Sequence, residues 1–280
     1  MTKNSIKYAL LIWLAYNLAV GAFFGFIFIS AFGIRDGIKP TYLAVAIMNG
    51  IGLIALFIWF YFYSRKTAEA VRIFKERGIC DDYINALGKH YGKLSNLQRI
   101  SLANAYLYLN RLDECEQVMN RLPGEALLRG PVKMYYYKTY ICLYLNMGRY
   151  RQACDIFDAA RDQLDKYFAG EGAGGAAYFD DAALCLAIRR DFSGADGYRQ
   201  LAQEAVGADP SKAYLPMMIM AELFILDGNL QEAERVEQSA RAMIFSASGY
   251  KHSWGRDSSL YSFEHGVRLA HKMRNELFGG

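Results

Sequence analysis

The residues that could bind a metal or act as nucleophiles are scattered along this chain. No two of the five cysteines form a C-x-x-C pair. They are Cys80, Cys115, Cys142, Cys154 and Cys185. The four histidines show no metal-ligand spacing either, and His265 and His271, six residues apart, do not share a helix face. We therefore expect free thiols in a reducing compartment and no metal site.

A glycine-rich segment, Gly170 to Gly175, fits the letters of the dinucleotide-binding motif G-x-G-x-x-G. That motif holds phosphate only where it joins a strand to the N-terminus of a helix. Here a long helical pattern precedes it, so we interpret the segment as part of a flexible loop over residues 166–177.

Paired acids are the remaining candidates for chemistry. Asp155 with Asp158 and Asp180 with Asp181 have helical or adjacent spacing, and we interpret both pairs as solvated helix surface. The chain has no Cys/His nucleophile context, no G-x-S-x-G and no H-E-x-x-H. We expect no catalytic residues and no cofactor, and hence a protein that is not an enzyme.

The hydrophobic composition indicates where such a chain works. Hydrophobic residues make up 53% of its 280 residues and the mean hydropathy is +0.01. The excess lies in two uncharged stretches, 8–34 and 41–64. At about 1.5 Å per residue both exceed a hydrocarbon core of about 30 Å, which predicts two transmembrane helices in domain 1–64. A cleaved signal peptide is the alternative for the first stretch.

Basic residues around these stretches predict their orientation. Lys3 and Lys7 precede the first stretch and a basic cluster follows Ser64, whereas Arg35 and Lys39 lie between the two. The positive-inside rule then places the N-terminus and everything after residue 64 in the cytoplasm. From residue 65 on the charges nearly balance, so we expect the lipid bilayer, and no nucleic acid, as a partner.

Small and weakly polar residues recur at helical spacing inside the stretches. Asn17, Gly21 and Gly25 form one face of the first, and Asn49 belongs to a similar patch in the second. Such faces allow close helix packing. We predict packing of the hairpin on itself, with homodimerisation through the same face as the alternative.

Helical periodicity continues through the rest of the chain and predicts an all-α protein. Three turns share a pattern in which an Asn or Gly is followed five residues later by a small residue. They are Asn110…Cys115, Gly148…Ala153 and Gly228…Ala233. Asn and Gly tolerate the left-handed backbone that ends a helix.

This pattern resembles the tetratricopeptide repeat (TPR) family, through Gly148-Tyr150-Ala153-Phe157-Ala160 above all. A fourth copy fits loosely near residues 176–206. The resemblance implies a solenoid of helical hairpins over residues 95–280, preceded by a helical neck at 65–94. We expect the helix over 258–277 to cap its C-terminal end.

The resemblance also implies a peptide-binding groove on the face made by the leading helices. The matching positions here are Asn104, Tyr108, Tyr135, Lys138, Cys142, Asn146, Met218 and Glu222. We therefore expect a membrane-anchored cytoplasmic adaptor that binds a protein or peptide. Two alternatives remain: the C-terminal helix covers this face, or the chain is an accessory subunit of an envelope transport or secretion complex that acts through its hairpin.

Overall fold

A computed structural model describes residues 22–23, 26–27, 30, 47–51, 67–207 and 209–279. Within these ranges every regular element is a helix and no strand occurs, so the all-α prediction is confirmed. Contacts divide the chain into two units, Met1–Ala68 and Glu69–Gly280. No helix among the described residues has the length and apolar character that a membrane crossing requires. The stretches 8–34 and 41–64 lie mostly outside these residues, and their membrane role stays a prediction.

The described part of the second unit contains ten α-helices with defined ends. They are α1 (Asp81–Gly88), α2 (Asn96–Tyr108), α3 (Leu112–Asn120), α4 (Gly130–Asn146), α5 (Tyr150–Phe168), α6 (Ala173–Ile188), α7 (Phe192–Val206), α8 (Tyr214–Asp227), α9 (Leu230–Ser246) and α10 (Gly255–Phe278). A further helical segment covers residues 67–77 and ends at Gly78, whose φ is +75°. The loop expected over 166–177 is shorter than we predicted, because α5 continues to Phe168 and α6 begins at Ala173.

Local signals start several of these helices. Ser95 and Gln98 form a capping box at the start of α2, and Pro131 lies in the first turn of α4. Asp191 accepts a hydrogen bond from the backbone N–H of Gly194 at the start of α7. Each of these local interactions favours the start of a helix at that residue and involves only neighbouring positions in the sequence.

The helices pack as consecutive pairs: α2 with α3, α4 with α5, α6 with α7 and α8 with α9. The first helix of each pair also contacts the first helix of the next, so that α2, α4, α6 and α8 form one continuous layer. The last helix, α10, packs against α8 and α9. Large side chains without solvent exposure fill the core between the helices, among them Phe157, Phe168, Tyr178 and Phe263.

The four pairs turn through equivalent backbone geometry. Asn110, Gly148 and Gly228 have φ values of +56°, +75° and +93°, as the sequence predicted. The third pair turns at Arg190, whose φ is +63°. In each turn the following N–H bonds to the carbonyl five residues before it, for example Asp191 to Leu186 at 3.0 Å.

Candidate functional site

A cavity of about 440 Å³ lies against the layer of leading helices. It is bounded by side chains of α2, α4, α6, α8 and α10. Seven of the eight positions that the sequence selected for the groove line this cavity. They are Asn104, Tyr108, Lys138, Cys142, Asn146, Met218 and Glu222.

Helical spacing explains why these positions meet. Lys138, Cys142 and Asn146 follow one another every four residues along α4, so they lie on one face of that helix. Asn104 with Tyr108 on α2, and Met218 with Glu222 on α8, have the same spacing. Because α2, α4 and α8 belong to one layer, their matching faces border a common space.

Tyr135 is the exception among the predicted groove residues. Its hydroxyl donates to Glu171 Oε2 at 3.4 Å, and its ring packs edge-on against Phe168 and Tyr167 at the end of α5. It does not line the cavity. This tyrosine therefore joins α4 to α5.

The C-terminal helix covers part of the groove face. The Tyr108 hydroxyl donates to Ser258 Oγ at 3.1 Å, and His265 Nε2 lies 2.7 Å from Asn146 Oδ1. Lys272 Nζ also donates to the carbonyl oxygen of Asn146 at 3.1 Å. What remains of the groove is the partly open space that α10 leaves against α2, α4, α6 and α8.

Three acids lie on the wall of this cavity. Glu222 is fully buried, Asp181 is 6% exposed and Asp180 is half-buried. Our interpretation of the Asp180–Asp181 pair as solvated surface was therefore wrong. Both oxygens of Glu222, Oδ1 of Asp180 and Oδ2 of Asp181 are buried without a hydrogen-bond donor among the described residues.

Burial determines how these acids titrate. Loss of water raises the pKa of Asp181 to about 7, against a smaller opposing effect of the Lys138 charge. Burial raises the pKa of Asp180 as well. The pKa of Glu222 lies well above its usual range because of its burial and the neighbouring Asp180 carboxylate. The cavity thus holds carboxyl groups that favour their neutral form until a cation reaches them.

The basic groups of the cavity are Lys138, Lys212 and His265. Burial lowers the pKa of Lys212, and burial together with the Arg268 charge lowers the pKa of His265. Burial also holds the pKa of the Cys142 thiol well above its usual range, so this thiol stays protonated and is a poor nucleophile.

A larger cleft of about 750 Å³ borders residues 69–77, α1 and α2. Four of its six charged side chains form ion pairs at the surface, Arg77 with Asp82 and Lys89 with Glu69, and the other two, Arg72 and Glu76, are exposed to solvent. Charges that are already paired or solvated leave no unmet demand for a ligand. We therefore take the cavity under α10 as the candidate site.

The four residues predicted to pack inside the membrane lie in the other unit. Asn17, Gly21 and Gly25 are outside the described residues. Asn49 lies in the helical segment 47–51, where it is half-buried and its Oδ1 has no hydrogen-bond partner among the described residues. The predicted packing face stays a prediction.

Sequence reasoning missed Asp180, Asp181, Tyr261 and His265 as cavity residues. One signal for the acids was present, because α6 reads AGGAAYFDDAALCLAI and carries no other charged residue. A helix that is apolar on all sides is expected to be buried, and acids on such a helix are expected to lose much of their contact with water. Nothing comparable marked Tyr261 and His265, whose position depends on where α10 packs.

The chain matches no protein-family model, no curated protein and no solved structure.

Proposed function

We propose that this chain is a non-enzymatic, membrane-anchored adaptor whose cytoplasmic helical unit binds a short segment of a protein or peptide in the cavity under α10. The observation that carries the proposal is that seven of the eight groove positions, from Asn104 to Glu222 on three different helices, border one cavity. Positions that only fill the core would not be expected to share an open space.

The helix arrangement supports a TPR-like repeat as the scaffold for this site. Turns at residues 110, 148, 190 and 228 recur every 38 to 42 residues with left-handed backbone. Five residues after each turn comes a small side chain with almost no exposure, Cys115, Ala153, Ala195 and Ala233. Such regular packing presents the leading helices side by side, which is how repeat proteins form extended binding faces.

The uncharged stretches 8–34 and 41–64 support the anchor. A membrane anchor would confine the adaptor to a surface and raise the local concentration of whatever it binds. The basic flanks at Lys3, Lys7, Arg65 and Lys66 favour the cytoplasm for both ends.

The test is a selection of random peptides displayed on phage against the full chain in lipid nanodiscs. Ala177 is exposed at the cavity wall, so Ala177→Trp would obstruct the site with little effect on the core. We expect selected peptides to lose affinity for Ala177→Trp by about tenfold or more, which corresponds to about 1.4 kcal/mol.

The matched control is Ala159→Trp, at an exposed position of α5 outside the cavity. This variant should bind the selected peptides as the unsubstituted chain does. The proposal fails if no peptide is enriched over empty nanodiscs, or if both tryptophan variants bind the selected peptides equally well.

A further inference from the structure

We infer that the group bound in this cavity is the guanidinium of an arginine side chain, held by the carboxyl groups of Asp180, Asp181 and Glu222. The inference rests on the proposed function, which supplies a peptide as the ligand, and it assigns the chemistry that the peptide must carry.

The first support is the unmet hydrogen bonding at the cavity wall. Four carboxyl oxygens on Asp180, Asp181 and Glu222 are buried and have no donor among the described residues. Native proteins rarely leave buried polar atoms without partners, and each one has a cost unless a ligand, water or proton supplies the bond. A cationic donor that enters the cavity would satisfy several at once.

The protein's own cations do not meet this demand. Lys138 and Lys212 border the same cavity, but neither donates to any of the four oxygens. A proton shared between Glu222 and Asp180 would satisfy one oxygen on each and would leave the other Glu222 oxygen without a donor, while the Cys142 thiol can give Asp181 only a weak hydrogen bond. The carboxyl oxygens that still lack a strong donor therefore point to a hydrogen-bond donor from another molecule.

The shape of the site favours a planar, multiply donating cation. Among the described residues no group of three Cys, His, Asp or Glu side chains could hold a metal ion. A guanidinium carries five N–H donors in a rigid fork and can reach separated acceptors, whereas an ammonium is a compact point charge.

Aromatic side chains complete the fit. Tyr108, Tyr214 and Tyr261 all line the cavity, and guanidinium groups stack on aromatic faces. They belong to α2, α8 and α10, and the rings of Tyr108 and Tyr261 pack against each other with centroids 4.9 Å apart. Acidic and aromatic side chains together form a surface complementary to arginine in both charge and shape.

The experiment uses two small probes and the full chain in nanodiscs. N-acetyl-arginine amide and N-acetyl-citrulline amide have nearly the same shape, but only the first is charged. We expect titration calorimetry to give a dissociation constant at least about tenfold lower for the arginine probe, as for a buried hydrogen bond to a charged group. This comparison needs no substitution and is independent of how any variant folds.

Two isosteric variants then test whether the arginine probe binds to the cavity acids. Asp181→Asn and Glu222→Gln should each weaken arginine-probe binding by about tenfold, while Asp155→Asn, at an exposed position of α5, should leave it unchanged. Equal binding of the two probes overturns the inference, as does unchanged arginine binding in both cavity variants. Tighter binding of N-acetyl-lysine amide than of the arginine probe also overturns it.

The results separate this inference from the proposed function. Selected peptides that depend on the cavity, lack arginine and resist competition by the arginine probe would refute the guanidinium site and leave the adaptor standing. Binding of the arginine probe without any selected peptide would refute the adaptor and leave the guanidinium site.

Discussion

The carboxyl group of Glu222 in α8 lies against Gly266 in α10, in the space where any other residue would carry its Cβ atom. The Sδ atom of Met218 is 3.0 Å from the same point. A side chain at residue 266 would therefore require the ends of the Glu222 and Met218 side chains, or α10 itself, to shift. This contact joins α10 to the cavity wall, beside the hydrogen bonds that α10 makes to Tyr108 and Asn146.

Gly266→Ala should destabilise the protein. The added methyl group would collide with the Glu222 carboxyl group and crowd Met218; both are ends of flexible side chains beside the cavity, so we expect the lower part of the ~1–3 kcal/mol that overpacking typically costs. Urea unfolding followed by circular dichroism measures the change. The double variant Gly266→Ala/Glu222→Ala should be less destabilised than the sum of the two single variants, because shortening residue 222 removes the collision.

Gly197→Ala is the matched control for that substitution. Gly197 also lies inside a helix, α7, but a Cβ there would meet no atom within 4 Å. Alanine should be neutral or stabilise the helix by up to about 1 kcal/mol. Equal losses of stability at residues 266 and 197 would contradict the collision at Glu222.

Stability should depend on pH through Asp181. Its pKa is about 7 in the folded protein, and about 4 is expected for the unfolded chain. The folded state therefore binds the proton more tightly, so this contribution is complete below about pH 4 and is lost as the pH rises to about 7. The loss amounts to about 4 kcal/mol at most.

Unfolding of the unsubstituted chain and of Asp181→Asn at several pH values in that window tests this point. The difference in unfolding free energy between the two proteins should shrink or reverse as the pH rises, because the amide does not titrate. Asp155→Asn, at an exposed surface position, should run parallel to the unsubstituted chain. Parallel curves for Asp181→Asn would contradict the burial of an ionisable group.

The half-buried carboxylate of Asp165 joins three helices of the repeat. Asp165 of α5 accepts hydrogen bonds from the hydroxyl groups of Tyr178 in α6, at 2.6 Å, and Tyr198 in α7, at 2.8 Å. Tyr178→Phe and Tyr198→Phe should each lower the unfolding free energy by about 1–2 kcal/mol, because Asp165 loses a donor in a partly buried place.

The two tyrosine substitutions should also be coupled. Since they share Asp165, a double-mutant cycle should give an interaction energy of about 0.5 kcal/mol or more. Tyr106→Phe is the control, because the Tyr106 hydroxyl makes no hydrogen bond to another described residue and its ring contact with Arg111 would be kept. An interaction energy of zero would mean that the two tyrosines contribute to stability independently.

Asn146 should hold α10 over the cavity. Its side chain contacts His265, and its carbonyl oxygen accepts a hydrogen bond from Lys272. Asn146→Ala should speed amide hydrogen exchange in α10 while α7 stays protected. Asn275→Ala, on the exposed face of α10, should leave the exchange unchanged. Unaltered exchange in Asn146→Ala would show that the other contacts of α10, with α8, with α9 and through Lys272, retain the helix without this side chain.

Reporter fusions test the predicted membrane topology. Green fluorescent protein fused after Gly280 should fluoresce in a bacterial host, and alkaline phosphatase fused there should be inactive, because the positive-inside rule places this end in the cytoplasm. Alkaline phosphatase inserted after Gly37, between the two uncharged stretches, should be active. The reverse pattern would overturn the orientation.

Local properties of the chain made part of the site predictable. Lys138, Cys142 and Asn146 share a helix face because of their spacing alone, and Asn110, Gly148 and Gly228 end helices because they tolerate positive φ. The turn at Arg190 was not recognised, since arginine has no preference for that backbone. The third pair was consequently the repeat unit that fitted least well by sequence.

The sequence by itself determined the helical class, most of the turns and the helix faces that border the cavity, because each of these follows from residues within a few positions of one another. Only the tertiary structure decided that Asp181 is buried and that α10 covers the face. Those outcomes depend on contacts between distant residues, such as Tyr108 with Ser258 and Glu222 with Gly266. Local sequence patterns do not encode which helix packs where, and the packing sets both the size of the cavity and the titration of its acids.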